Sequence, residues 1–158
     1  MEKSHNHDRE SVTHLTAHRP FPDLAAALRS QSETITERWM VAVRPVVPSD
    51  TDLPSHELRE NQSAVLARIA DVMDSPNRHG VDELIGNVSP QGLSHFRQRY
   101  DVRELMTENR LLRRVIIEEA ERVLDRPMTQ AEHAALDMSI DAMLQETVYE
   151  LRRQDVLV

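Results

Sequence analysis

The sequence predicts an all-α protein, a helical bundle of four main helices plus one or two short ones. Its apolar residues recur at intervals of three and four over long stretches, whereas no stretch shows the period of two that is typical of strands. The chain also has no Asn-Gly or Asp-Gly pair, the commonest two-residue hairpin turn. Helices with one apolar face bury it against one another, so a bundle is the expected packing.

A proline-rich linker separates the first two main helices. We expect the first to begin with Asp23 as N-cap and to end before Pro45. Its inward positions are predicted to be Leu24, Leu28, Ile35 and Trp39. Pro45–Pro54 is interpreted as a linker, and Ser55 is expected to cap the second helix. The inward positions of that helix are predicted to be Leu58, Gln62, Val65, Leu66, Ile69, Val72 and Met73.

The strongest predicted helix follows a break in this pattern. Ser75–Gly80 interrupts the second helix, and Ser89–Pro90 offers a cap and a first-turn proline for a short one. Asp101 and Glu104 match a capping box, from which the chain is helix-prone as far as Leu124. The inward positions of this helix are predicted to be Val102, Leu105, Asn109, Leu112, Ile116, Ala120 and Val123.

The last helix begins at a second capping box, formed by Thr129 and Glu132. It is expected to run at least to Arg153, with inward positions Leu136, Ile140, Leu144, Thr147 and Leu151. We interpret residues 1–20 as a disordered His-rich arm and residues 21–158 as one helical domain. The chain ends on the apolar Val156–Val158, which either dock back on the bundle or continue the helix into a C-terminal output domain, the arrangement that we expect.

Composition excludes several classes of function. A chain without Cys has no disulfide, thiol nucleophile or cysteine-based zinc site, and 3 Gly leave no glycine-rich phosphate loop. A net charge of -8 disfavours nucleic-acid binding, because phosphate affinity needs surplus cations. No apolar run approaches the ~20 residues that span a bilayer, and no signal peptide is visible. We therefore expect a cytoplasmic protein that binds neither nucleic acid nor membrane, with no metal or cofactor implied.

Arginine residues gather in the segment before the last helix. Those within residues 97–114 are Arg97, Arg99, Arg103, Arg110, Arg113 and Arg114. They form either a solvated face or a patch that docks an anionic ligand or the last helix. The second interpretation suits residues 129–158, which carry 6 acidic and 2 basic residues. Arg110 and Arg113 share the side of Asn109, near the inward face, so this pair is expected to be partly buried.

Several stretches together resemble a known family of helical domains. They are Ile35–Trp39, His95–Arg99, Asp101–Leu105, Glu108–Ile116, Ile140–Asp141 and Val148–Tyr149. The pattern resembles the RsbRD-type N-terminal domain of stressosome RsbT co-antagonists, which also stands at the N-terminus of bacterial sensor histidine kinases. The resemblance covers about residues 24 to 152. It departs from the family at Asn109, where Tyr is usual, and at the glycine-free junction Arg99–Asp101.

The resemblance implies a sensory, signal-input domain of a sensor histidine kinase or a stressosome regulator, without enzymatic activity of its own. A homodimer paired through the long helices is the partner arrangement that we expect. The candidate ligand or switch residues are His95, Arg99, Glu108, Asn109, Arg110 and Arg113. His95 could change its charge near neutral pH, and a buried Asn109 could fix the register of a helical dimer.

Two alternatives remain open at this point. Ser55–Arg59 reads Ser-His-Glu-Leu-Arg, similar to the phospho-acceptor box of a histidine kinase, so His56 is the candidate of a phospho-transfer or kinase-dimerisation bundle. The other alternative is a globin-like variant of the bundle that senses through haem or another cofactor, with His95 as the ligand. The phospho-acceptor box does not continue as a kinase motif would, because Glu60–Gln62 follow it, and an N-cap role explains Ser55 more simply.

Overall fold

A computed structural model describes residues 20–75 and 100–156, with side chains described as far as residue 153. All regular structure in these two ranges is helical, which confirms the all-α class. The helices are α1 Pro22–Ser30, α2 Ser32–Val43, α3 Pro48–Thr51, α4 Ser55–Asp74, α5 Val102–Leu124 and α6 Gln130–Val156. The predicted arm, the short helix at Ser89–Pro90 and the candidates His95 and Arg99 lie outside the described residues.

The predicted first helix is divided into α1 and α2 at Gln31. Serines stand on both sides of Gln31, and the Ser30 hydroxyl donates to the Ala27 carbonyl, a side-chain bond that competes with helical hydrogen bonding. The predicted N-cap was wrong by two residues: Phe21 is the N-cap and Pro22 the first helical residue, because proline has no N–H to satisfy there. The predicted inward face is confirmed, since all four of its residues are buried.

The linker also differs from the prediction. It contains the one-turn helix α3, whose Asp50 is fully buried and accepts a hydrogen bond from the hydroxyl of Tyr100. The N-cap of α4 is Pro54, and Ser55 does not cap it. The Ser55 hydroxyl instead accepts a hydrogen bond of 2.7 Å from Arg44, the C-cap of α2, so it joins the end of α2 to the start of α4.

The capping box that starts α5 is confirmed and has a second role. Asp101 accepts from the Arg103 N–H, and Glu104 accepts from the Asp101 N–H. Glu104 also accepts from both the backbone N–H and the hydroxyl of Ser49, at 2.9 Å each. Burial alone would raise the pKa of Glu104, but these hydrogen bonds together lower it. The start of α5 is therefore fixed against α3.

The inner face of α5 is partly different from the predicted one. Val102 and Val123 are exposed. Both lie in the end turns, where a residue has helical neighbours on one side only. Asn109 is half-buried, and the residue before it, Glu108, is buried instead. The buried residues of α5 are Leu105, Glu108, Leu112, Val115, Ile116, Glu119 and Ala120.

The turn between α5 and α6 is built from local hydrogen bonds. Asp125 ends α5 in the left-handed conformation, with φ of 52°, which Asp tolerates better than most residues. The predicted capping box is confirmed: Glu132 accepts from the Thr129 N–H, and Thr129 accepts from the Glu132 N–H. Arg126 makes a bidentate pair with the same Glu132 carboxylate.

Helices α4 and α5 are joined through the helices that pack on both of them. Helices α1 and α2 each pack on both α4 and α5, and α6 also packs on both. The largest fully buried side chains are Trp39, Leu24, Leu28, Ile35, Leu58, Leu66, Ile69, Met73, Leu112, Ile116, Leu136 and Ile140. Within the described ranges, no helix is both long enough and apolar enough to cross a bilayer.

Candidate functional site

A cavity of about 50 Å³ lies where α2, α4, α5 and α6 meet, and we call it the core cavity. Its lining consists of Trp39, Gln62, Val65, Ile69, Leu105, Glu108, Asn109, Leu112, Ile140, Met143, Leu144 and Thr147. A water molecule needs about 10–15 Å³ of such volume. The core cavity therefore has room for a few waters or for one group of similar size.

Two deeply buried polar side chains line the core cavity. Gln62 on α4 and Glu108 on α5 are each 2% exposed. The amide nitrogen Nε2 of Gln62 has no hydrogen-bond partner, which costs free energy unless something in the cavity accepts from it. The indole N–H of Trp39 donates to the backbone carbonyl of Glu108 at 3.0 Å. The cavity is thus an apolar space with polar groups at selected points, as small-molecule sites usually are.

The sequence pattern found one of these two polar residues. Glu108 was a candidate because of its place in the family resemblance, and the structure brings it to the core cavity. Gln62 was predicted to face inward but was not recognised as a site residue. The available signal was its spacing of four from both Leu58 and Leu66, which puts an amide on a face that is otherwise apolar.

A second depression, which we call the outer groove, lies on the surface next to the core cavity. It has a volume of about 260 Å³ and is lined by Met106, Thr107, Asn109, Arg110, Arg113, Asp141 and Leu144. Asn109 and Leu144 also belong to the lining of the core cavity. These two side chains therefore border both spaces.

The arginines of the outer groove have different roles. Arg113 is half-buried and holds α5 to α6, because its Nε lies 2.8 Å from Asp137 and its Nη2 lies 3.4 Å from Asp141. This contact confirms that part of the arginine segment docks the acidic last helix. Arg110 is exposed, so the expectation that it is partly buried along with Arg113 was wrong. Arg110 lines the outer groove, which leaves it open to solvent.

A charged network joins α2 to α5 away from the cavity. Arg38 contacts the carboxylates of Glu118 and Glu119, and Arg122 donates to Glu119 at 2.8 Å. The Arg122 hydrogen bond lowers the pKa of Glu119 most, burial opposes it, and the Arg38 hydrogen bond lowers it further. Because Arg38 on α2 pairs with two carboxylates on α5, we assign this network to holding the two helices together.

The remaining described candidate, His56, does not line the core cavity. His56 is exposed in the first turn of α4, at the opposite side of that helix from Leu58 and its inward neighbours. His95 and Arg99 are outside the described residues. In the part of the chain that is described, no group of three or more His, Cys, Asp or Glu side chains is arranged to hold a metal ion.

Comparison with known proteins gives no match from which a function could be inferred. No family model, curated protein or solved structure matches the chain. The functional interpretation therefore depends on the core cavity and on the helices that enclose it.

Proposed function

We propose that this chain is a non-catalytic, cytoplasmic signal-input domain of a bacterial signal-transduction protein, of the sensor histidine kinase or stressosome kind. In this proposal, occupancy of the core cavity sets the position of α6, and α6 passes the signal on. The family resemblance supports the class of protein. The packing of α6 supports the mechanism.

The observation that carries the proposal is a difference between the two halves of α6. Residues 130–140 include the buried Glu132, Leu136, Ser139 and Ile140. None of residues 141–153 is buried. Segments with few buried apolar contacts open at low free energy and are the usual source of moving elements. The second half of α6 is thus attached weakly, while the first half is fixed in the core.

The weakly attached half of α6 also forms one wall of the core cavity. Met143, Leu144 and Thr147 line the cavity and are half-buried. A ligand in the cavity would add contacts to these side chains, and its differential affinity for the closed position would shift α6 toward that position. Arg113 and its two aspartates mark the point at which the fixed and the weakly attached halves meet.

We expect Val65→Ile to slow amide hydrogen exchange in residues 141–153 by about three- to fivefold. Val65 lines the core cavity from α4, and one further buried methylene contributes about 0.8 kcal/mol. Exchange in residues 130–140 serves as the internal reference. Val72→Ile is the matched control, because Val72 is half-buried on the same face of α4 but does not line the cavity.

Equal exchange rates in Val65→Ile and Val72→Ile would contradict the proposal. They would show that filling the core cavity has no effect on α6, and a sensor built on this cavity needs that effect. Slower exchange across all helices of Val65→Ile would indicate general stabilisation and would count against the proposal as well.

The same proposal includes a homodimer that pairs along α5 and α6. The outer face of α6 exposes Met138 by 51% and Tyr149 by 63%, and these residues share one side of the helix because they are eleven positions apart. Sedimentation equilibrium is expected to show that the wild-type chain is a dimer. The Tyr149→Glu variant is expected to be a monomer in the same measurement. A monomeric wild-type chain at high micromolar concentration would contradict this part of the proposal.

A further inference from the structure

Arg110 lines the outer groove without a counter-charge from the described part of the chain. It is exposed, and no carboxylate within residues 20–75 or 100–153 forms an ion pair with it. The arginines that follow it on α5 each lie 2.8 to 3.9 Å from a carboxylate; they are Arg113, Arg114 and Arg122. The Arg110 guanidinium is therefore available to an anion from outside the bundle.

The outer groove carries one net positive charge. Its charged lining residues are Arg110, Arg113 and Asp141. Asp141 lies 3.4 Å from Nη2 of Arg113, so these two charges balance one another and Arg110 remains. The planar guanidinium suits the two oxygens of a carboxylate. One unbalanced cation favours a monoanion, because a dianion would bring a second negative charge close to Asp141.

The apolar part of the lining indicates what the carboxylate is attached to. Met106 is 56% exposed on α5, and Leu144 is half-buried on α6. Binding is favoured when a ligand removes such apolar surface from water. The volume of about 260 Å³ equals that of about eight water molecules at ~30 Å³ each. The attached group is therefore expected to be uncharged, apolar and small.

We propose that the outer groove binds a small monocarboxylate that carries an apolar chain or ring. Its carboxylate pairs with Arg110, and its apolar part lies against Met106 and Leu144. The Asn109 amide, which also lines the groove, supplies a neutral donor, whereas the Thr107 hydroxyl donates to the Arg103 carbonyl. The inference goes beyond the proposed function, because it needs no occupant in the core cavity.

The test is a titration of the whole chain with hexanoate at pH 7, followed through the backbone amide NMR signals of α5 and α6. We expect saturable shifts around the outer groove and a dissociation constant in the millimolar range, which suits a ligand of eight heavy atoms. Hexanamide has the same number of heavy atoms but no charge, and it is expected to bind about fivefold more weakly. Propanoate keeps the charge but lacks three methylenes, so it is also expected to bind severalfold more weakly.

Arg110→Gln tests the cation directly. Hexanoate is expected to bind this variant about fivefold more weakly, the upper range for an exposed ion pair, whereas the affinity for hexanamide stays unchanged. Arg114→Gln is the matched control, because it changes the net charge equally and Arg114 is 60% exposed on the same helix but does not line the groove. We expect it to bind hexanoate as the wild type does. Circular-dichroism melting verifies that both variants are folded.

Three results would overturn the inference. They are no saturable shift around the outer groove, equal binding of hexanoate and hexanamide, and equal binding of hexanoate by Arg110→Gln and Arg114→Gln. The last would mean that the overall charge of the chain, and not the groove, sets the affinity.

A second copy of the chain is the other occupant that could bring a carboxylate to Arg110. In that case hexanoate does not bind, and Arg110→Gln dissociates a dimer in sedimentation equilibrium; this outcome also overturns the inference. The hydrogen-exchange test of Val65→Ile examines the core cavity alone. Failure there would leave the monocarboxylate site standing, and failure of hexanoate binding would leave the proposed function standing.

Discussion

Trp39→Ala is expected to lower the free energy of unfolding by about 3–5 kcal/mol, the usual cost of deleting a buried aromatic side chain. Trp39 is 1% exposed and contacts the core cavity, so its removal enlarges a space that already exists. The surrounding helices cannot easily collapse into that space, because α4 and α5 are each held by contacts with α1, α2 and α6. Urea unfolding followed by circular dichroism measures the effect without the tryptophan signal.

Trp39→Phe separates the contribution of the aromatic ring to stability from that of its hydrogen bond. Phenylalanine keeps most of the apolar contact but loses the N–H that donates to the Glu108 carbonyl. We expect a loss of about 1–2 kcal/mol, from one hydrogen bond and a small cavity. A cost below 1 kcal/mol for Trp39→Ala, on the same order as a surface substitution, would contradict the place that the structure gives this side chain.

The features that the sequence predicted correctly are those set by local chemistry. Both capping boxes, Asp101 with Glu104 and Thr129 with Glu132, connect residues three apart and are recognisable without the fold. The apolar face of α1 and α2 survives the break at Gln31, since Leu28 before it and Ile35 after it are both buried. Local patterns of this kind identify helices and their inward sides.

The features that the sequence did not predict depend on residues far apart in the chain. Glu119 is buried because Arg38, about 80 positions away, supplies a compensating charge. The core cavity needs four helices to close it, so no single helix pattern contains it. Likewise, the structure is needed to see that the amide nitrogen of Gln62 has no hydrogen-bond partner. A polar residue on an inward face marks such a site in sequence, but its partners do not follow from spacing.

Glu119→Gln is expected to destabilise the protein by about 2–3 kcal/mol at pH 7. The Glu119 side chain is 7% exposed and contacts two arginines, so its loss leaves Arg38 and Arg122 without a buried counter-charge. Removing one partner of a fully buried pair costs about 3–5 kcal/mol. The value expected here is lower, because both arginines are largely exposed and solvent screens them.

The adjacent carboxylate provides the matched control. Glu118 also contacts Arg38, but its side chain is 47% exposed, and exposed pairs contribute about 0.2–1 kcal/mol. Glu118→Gln is therefore expected to have a small effect. Equal losses in the two variants would mean that burial does not strengthen the contacts of Glu119. Thermal and urea unfolding of both variants measure the difference.

The two variants are also expected to differ in their dependence on pH. The pKa of Glu119 is lowered in the folded protein, mainly by Arg122 and then by Arg38 against the opposing effect of burial. Its contribution to stability is therefore complete above the unfolded pKa of a glutamate, about 4.3, and disappears as the pH falls through the lower folded value. The stability gap between the wild type and Glu119→Gln is expected to stay constant from pH 7 to about 5.5 and to close below about pH 4. A gap that persists unchanged into that acid range would show that the Glu119 charge is not what stabilises the contact between α2 and α5.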